Sequence, residues 1–410
     1  MRSPRLTTRG QSFLAAGLTI SLVGMVLGFP DITRIGALLA VLPVLALVAG
    51  WRRTPQISVR RTVSPTLLRP GQSADVHLDI RNTGTTSTVL QLAEEHLDPA
   101  LGRPPRLLLP DMRPGEHHQA SYRVRGATRG GYRVGPLSLR QEDPFGLTTS
   151  RLQLHATADV VVLPRVEELD PAVLRRLGVA GEGVLPHSVG TQGEDDASTR
   201  SYREGDDLRR IHWPATAHRG ELMVRQEERH ARRRAVLVLD PRPAAHRGSG
   251  EDSSFEWAVS ALASAAVHLH RLGFSLVLAS AGTAAEGLAR EPLPVQAVLR
   301  HLALARADDG DLTGVLRAAR HARAGMAVAA VADGLGEDLP RLVGVRPPGG
   351  VGLLLLLDTA TFTSATVPGR RTQEAATRAR AAGWHCHVTR HGESVHRAWD
   401  EVTRGERVRS

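Results

Sequence analysis

The residue types that could do chemistry crowd into one stretch, residues 199–225, which reads TRSYREGDDLRRIHWPATAHRGELMVR. Three chemistries are open to it. In a catalytic reading His212 is a general base oriented by Asp206 or Asp207, and the chain is a hydrolase. That reading needs a nucleophile, and no Ser or Cys in a recognisable nucleophile elbow accompanies the histidine. In a binding reading Arg209, Arg210 and Trp213 present an anchor to a partner, Arg and Trp being favoured at energetic centres of interfaces. In a structural reading Arg200, Asp206 and Arg209 form an ion-pair network that clamps a linker onto the next domain. Gly205-Asp206 reads as a turn and helix N-cap. Leu208 and Ile211 then share one helix face, and Arg209 and His212 a neighbouring one. The preceding Glu194-Asp195-Asp196 run is contiguous, unlike a metal loop, and reads as a solvated acidic turn.

A second set of acids ends three apolar runs: Asp240, Asp333 and Asp358. In an open α/β sheet, ligands sit at the carboxyl ends of the strands. A divalent cation held by Asp240 and Asp333 is one possibility. The residues after Asp240, however, are Pro241, Arg242 and Pro243, which offer no hydroxyl oxygen and bring a positive charge instead. No metal and no cofactor are expected.

Composition removes whole classes. The formal charge is +10, yet the chain contains no lysine, so every fixed positive side chain is an arginine. P-loop NTPases, protein kinases and Schiff-base enzymes all need a lysine and are excluded. Cys386 is the single cysteine, which rules out an internal disulfide and suits a reducing compartment. The basic cluster at residues 229–234 follows Glu227 and Glu228, and no basic stripe is interleaved with aromatics. Nucleic acid is not the expected partner.

The elements that must carry these residues follow from hydropathy. Residues 11–28 and 32–50 are apolar runs, the second with Arg34 near its start, and each approaches the ~20 residues that cross a bilayer. Two transmembrane helices are expected within residues 1–54. Arg2, Arg5 and Arg9 precede the first run, and Arg52, Arg53, Arg60 and Arg61 follow the second. The positive-inside rule then puts both ends, and the soluble bulk, in the cytoplasm. Residues 55–165 read as short alternating strands between Pro and Gly turns, about seven in all, which suggests an immunoglobulin-like sandwich. Among them are 132–134 and 137–139, and Asp143-Pro144-Phe145-Gly146-Leu147 is expected to turn around a buried aromatic. Residues 166–234 form a linker that holds the central stretch. From 235 to 410 strands near 235–240, 274–280, 326–333, 351–358 and 384–389 alternate with helical segments, the pattern of a doubly wound sheet.

The ordered combination of two N-terminal runs, Arg129-Gly130-Gly131-Tyr132-Arg133-Val134-Gly135-Pro136, Asp143-Pro144-Phe145-Gly146-Leu147, Tyr202-Arg203-Glu204-Gly205-Asp206 and Arg210-Ile211-His212-Trp213 resembles the domain-of-unknown-function 58 family. That resemblance implies a closing domain similar to von Willebrand factor A, in which an Asp-x-Ser-x-Ser metal loop usually follows the first strand. Here that position reads Asp240-Pro241-Arg242-Pro243-Ala244. The family motif usually closes with Ala-Arg, whereas Ala217 is followed by His218. The resemblance also implies a MoxR-type AAA+ ATPase as partner, with a transglutaminase-like membrane protein as a further neighbour. The expectation is a multi-domain, membrane-anchored, non-enzymatic adaptor in cell-envelope assembly or stress response, whose partner-binding residues are Arg200, Tyr202, Gly205, Asp206, Arg209, Arg210, Ile211, His212 and Trp213; the alternatives are a hydrolase using His212 with Asp206 or Asp207 and a purely structural envelope protein.

Overall fold

The computed structural model describes residues 5–52, 56–171, 199–201, 211, 213–225, 234–307, 310–322, 324–363 and 369–404. The chain divides into two compact units, Met1–Leu163 and Pro164–Ser410.

The first unit opens with a short strand, β1 (Arg5–Leu6), and two helices, α1 (Thr8–Val26) and α2 (Pro30–Arg52). Thr7 caps α1: its hydroxyl accepts the Gly10 amide at 3.1 Å, and its own amide donates to the Leu147 carbonyl at 2.9 Å. Pro30 opens α2 where its missing N–H would have no helical partner. The helices meet through backbone. A Cβ on Gly17 would stand 2.5 Å from the Ala40 nitrogen and 2.7 Å from the Gly36 oxygen, so only glycine permits this approach. Among the described residues one helix, Pro30–Gly50, is long and apolar enough to cross a membrane by length and composition, with a mean hydropathy of 2.3. The expected first span does not reach that standard. Arg9, Gln11 and Ser12 occupy the opening turns of α1 and Thr19 and Ser21 interrupt it, leaving the apolar part short of ~20 residues.

Nine more strands complete this unit: β2 (Ile57–Ser64), β3 (Leu67–Leu68), β4 (Ser73–Asn82), β5 (Gln91–Leu97), β6 (Arg106–Leu109), β7 (His117–Arg125), β8 (Gly130–Glu142), β9 (Thr148–Leu154) and β10 (Ala158–Val162). They form two sheets: β2-β4-β7, and a larger one built on β1-β9-β8-β10-β3 with β5 and β6 joined to β8. Strict alternation in β4 sends Ala74, Val76, Leu78 and Ile80 inward. There they share one core with Val134, Leu137 and Leu139 of β8 and Val160 and Val162 of β10. The runs at 132–134 and 137–139, expected as two strands, are one. Pro136 offers no N–H to a ladder, and the pairing of β5 with β8 absorbs it by a register shift between Glu95 and Leu97.

The same kink makes room for a charge pair that the sequence did not reveal. The Arg61 guanidinium on β2 donates to Glu95 Oε1 on β5 at 2.6 Å, joining the two sheets with side chains 1% and 0% exposed. Its other nitrogen donates to the Ala156 carbonyl. A Cβ on Gly135, at φ 93°, would lie 2.5 Å from that nitrogen. Burial, reinforced by the Glu95 carboxylate, pushes the Tyr122 phenol far above its ordinary range.

The turn after β8 also departs from expectation, because Phe145 is 68% exposed. An aromatic anchor is unnecessary there. Asp143 holds the turn, accepting from the Phe145 amide at 2.8 Å and from both the amide and the hydroxyl of Thr148.

In the second unit a two-stranded ribbon, β11 (Thr199–Ser201) with β12 (Met223–Arg225), flanks a short helix, α3 (Trp213–Arg219). Five parallel strands then form one sheet: β13 (Arg234–Leu239), β14 (Ser275–Ala279), β15 (Met326–Ala332), β16 (Val351–Leu357) and β17 (His385–Thr389). Their order is β14-β13-β15-β16-β17. The helices are α4 (Ser254–Arg271), α5 (Ala281–Ala285), α6 (Val295–Leu304), α7 (Leu312–Arg320), α8 (Asp338–Val343), α9 (Arg370–Ala381) and α10 (Val395–Arg404). Both faces of the sheet are covered. Ala235, Leu237 and Leu239 of β13 face α4, α6 and α10, while Val236 and Val238 face α7, α8 and α9. All seven residues of β15 are therefore buried, as a parallel strand covered on both faces requires.

Candidate functional site

Strand order in the second unit reverses between β13 and β15, and a doubly wound sheet offers its ligand crevice at the carboxyl ends of such a pair. Asp240 and Asp333 follow those two strands. Asp240 is fully buried, and Arg242 fills the space beside it. Arg242 Nη2 lies 2.7 Å from Asp240 Oδ2, and Nε lies 3.0 Å from Oδ1. The guanidinium continues across the crevice, donating to the carbonyls of Ala332 at 3.3 Å and Gly334 at 3.2 Å. Pro241 and Pro243 fix φ on either side and fold the arginine back over the strand end. Burial by itself lowers the affinity of Arg242 for its proton; Asp240, with Asp338 and Asp333, more than offsets this and holds the guanidinium above its ordinary pKa.

The other two acids are also engaged. Asp333 accepts from Thr372 Oγ1 at 3.0 Å and from the hydroxyl of Thr359. Asp358 Oδ2 accepts the Gly369 amide at 3.2 Å, while Oδ1 is buried without a hydrogen-bond partner. Burial lifts the Asp358 carboxyl above its ordinary pKa, and nearby Asp333 adds to the effect. This donor set does not fit a divalent cation. The carboxylate best placed to hold one is neutralised by an internal guanidinium, and Asp333 is committed to two threonines. Among the described residues no cluster of three His, Cys, Asp or Glu side chains could hold a metal ion.

His246 locks the loop that follows. Its ring contacts Ser254 Oγ at 3.0 Å and the Asp240 carbonyl at 3.1 Å, and packs edge-on against Phe255 at 5.1 Å. Burial lowers its pKa. The arrangement ties the end of β13 to the start of α4 and leaves the imidazole little exposed.

The central stretch lies before this sheet in the chain. Arg200 pairs with Val224 in the ribbon, Ile211 is half-buried, and Trp213 is 66% exposed at the start of α3. Tyr202, Gly205, Asp206, Asp207, Arg209, Arg210 and His212 lie outside the described residues. The ribbon is tied to the helix: Met223, 1% exposed, donates its amide to Thr216 Oγ1 at 2.9 Å. Trp213 is thus presented on a short helix that is tied down at its middle, through Thr216.

Residues 198–347 match the model of the family described as "Protein of unknown function DUF58". That region spans the central stretch and the first three strands of the parallel sheet. No curated protein matches the chain. Among solved structures, the CARDB domain of the PF1109 protein from Pyrococcus furiosus, in complex with di-metal ions, is 15% identical, with 26% of this chain and 93% of that chain covered at a TM-score of 0.20. An alkylpurine DNA glycosylase, AlkC, from Pseudomonas fluorescens is 11% identical over 32% of this chain and 38% of that one, at a TM-score of 0.19. A β-glucosidase from Listeria innocua is 14% identical over 26% and 16%, at 0.16. At these TM-scores no likeness carries an argument about role.

Proposed function

We propose that this chain, which belongs to the DUF58 family through residues 198–347, is a membrane-anchored, non-enzymatic adaptor that docks a AAA+ ATPase of the MoxR type through its central stretch. The observation that carries this reading is Trp213: a large aromatic, 66% exposed, on a helix tied down by its own ribbon. Trp and Arg are the side chains enriched at interface hot spots, and Arg209 and Arg210 precede Trp213 in the chain by four and three positions. The closure of the β13/β15 crevice by Arg242 supports the non-enzymatic half of the proposal, because it occupies the place where this fold class usually admits a ligand.

The finer architecture belongs to the same proposal. The two sheets of the first unit are read as an immunoglobulin-like sandwich, and the parallel sheet as von Willebrand A-like. An isolated antiparallel bridge from Leu276 to Leu293 at the β14 edge supports the latter as the remnant of an edge strand. An N-terminal helical membrane anchor, with the sheet-bearing parts of the chain in the cytoplasm, is supported by the arginines that flank the two helices. A role in cell-envelope assembly or stress handling, with a transglutaminase-like membrane protein nearby, completes the reading.

The test is co-purification from the native host with and without ATP, comparing wild type with an Arg210→Ala/Trp213→Ala variant of unchanged melting temperature. Recovery of a AAA+ ATPase by wild type and its loss in the variant is the expected result. Equal recovery by both moves docking elsewhere on the chain, and recovery by neither removes the adaptor role.

A further inference from the structure

We propose that the cavity between α7 and α8 is a binding site for a compact phosphorylated anion of the diphosphate class. Thr313, Arg317, Arg320, His321 and Arg341 line a space of about 440 Å³, within the ~300–1,000 Å³ typical of small-ligand sites. Arg317, Arg320 and His321 fall at i, i+3 and i+4, so they crowd one face of α7 and its end, where like charges oppose one another. Arg341 of α8 faces them. It pairs with Asp338 at 3.1 Å, and Asp338 also accepts from Thr313 Oγ1 at 2.9 Å. That is the one carboxylate bonded to these lining residues among the described residues. The Arg317 and Arg320 guanidiniums have neither a hydrogen bond nor an ion pair among the described residues. Three guanidiniums therefore face one carboxylate, before the imidazole is considered.

An ordinary solvated helix face spreads its charges outward. Here Arg317, Arg320, His321 and Arg341, though exposed, converge from two helices on one open space. The lining also says what kind of anion fits. It contains no aromatic or aliphatic wall, so a nucleobase or an acyl chain gains nothing from entering. A single planar carboxylate satisfies one guanidinium fork, whereas the tetrahedral oxygens of a diphosphate engage several forks from different directions. The Thr313 hydroxyl supplies a neutral donor beside them. A soluble diphosphate and a phospholipid headgroup with two phosphates both present this chemistry.

Calorimetric titration of the full chain in uncharged detergent, with inorganic pyrophosphate, tests the site. One-to-one saturable binding is expected, weakened about tenfold by Arg317→Ala or Arg320→Ala and lost in the double variant. Both positions are exposed on α7 and alanine is the best helix former, so the variants fold; circular dichroism verifies it. Absence of saturable binding at millimolar pyrophosphate overturns the proposal, as does unchanged binding in a folded double variant. The same titration with bis(glycerophospho)glycerol, a lipid headgroup that carries two phosphates, separates the sources: tighter binding than pyrophosphate assigns the site to a headgroup, weaker binding to a soluble diphosphate, and either result sustains the shared chemistry.

Discussion

At the residue scale the two units each bury an arginine–carboxylate pair, and the pairs act differently. Arg242 and Asp240 are two positions apart, so the pair forms wherever the Pro-Arg-Pro turn forms. Arg242→Ala leaves Asp240, which is 0% exposed, without its guanidinium partner and with only the backbone amides of residue 242 and Ala332 as donors. A loss of about 3–5 kcal/mol is expected on breaking such a pair, read as a lowered urea midpoint. Arg242→Lys restores little of it, because an ammonium cannot make the fork-like contacts to both carboxylate oxygens and the Ala332 and Gly334 carbonyls. Arg61 and Glu95 instead join strands of different sheets. Arg61→Met alone is expected to cost about 3–5 kcal/mol, whereas Arg61→Met with Glu95→Leu lies near wild type, because removing both charges also removes their desolvation cost. Chemical denaturation of the three proteins decides it; a double variant as weak as the single one refutes the account. Asp240 and Arg242 were legible from the sequence as an acid at a strand end with a cation beside it. Thr359 and Thr372 were not, because the carboxylate they share, Asp333, is distant in sequence and meets them only in the folded sheet.

At the scale of elements, the paired helices depend on glycine at their closest point. Gly17→Leu drives a side chain into the backbone of α2 at Ala40 and Gly36, and the helices must separate. The Ser21 hydroxyl donates across the pair to the Thr33 carbonyl at 3.5 Å, a contact that the same separation breaks. Gly17→Leu is expected to cost about 1–3 kcal/mol, read as a lowered melting temperature of the chain in detergent. An unchanged melting temperature means the helices do not depend on that glycine. The parallel strands lie within a residue or two of where apolar runs ending in acids put them, because strands buried on both faces must be continuously apolar. The β-unit was read less well. Alternation identifies strands, but it does not show that Gly135-Pro136 continues a strand as a kink, nor that Asp143 rather than Phe145 secures the following turn.

At the scale of the whole molecule, acid should weaken the fold before its carboxylates titrate. Burial lowers the pKa of both His246 and His268. The unfolded chain then binds more protons than the folded one below the ordinary imidazole value of ~6.5, so these groups support stability above it and withdraw that support as pH falls. The melting temperature of the chain is expected to decline from pH 7 to 5. His268 makes the cleaner probe, since its buried Nε2 has no hydrogen-bond partner and its ring packs edge-on against Trp399 at 5.7 Å. His268→Leu should flatten the decline; identical slopes for variant and wild type exclude this histidine as a cause.

The sequence by itself determined the class of each segment: an apolar N-terminal helical region, a β-rich stretch, a motif-bearing connection and an alternating α/β region. Those properties are local, set by hydropathic period, by turn residues and by which side chains are missing, lysine above all. It also determined that Asp240 would have an arginine where a metal loop needs hydroxyls. Tertiary structure alone decided what is compensated and what is not. Buried charge is tolerated only beside its partner, and Glu95 finds Arg61 through the meeting of two sheets. The cations of α7 and Arg341 acquire a common cavity only because two helices lie side by side on one face of a sheet. Charge pairing depends on distance in space, and the folding of the chain sets that distance.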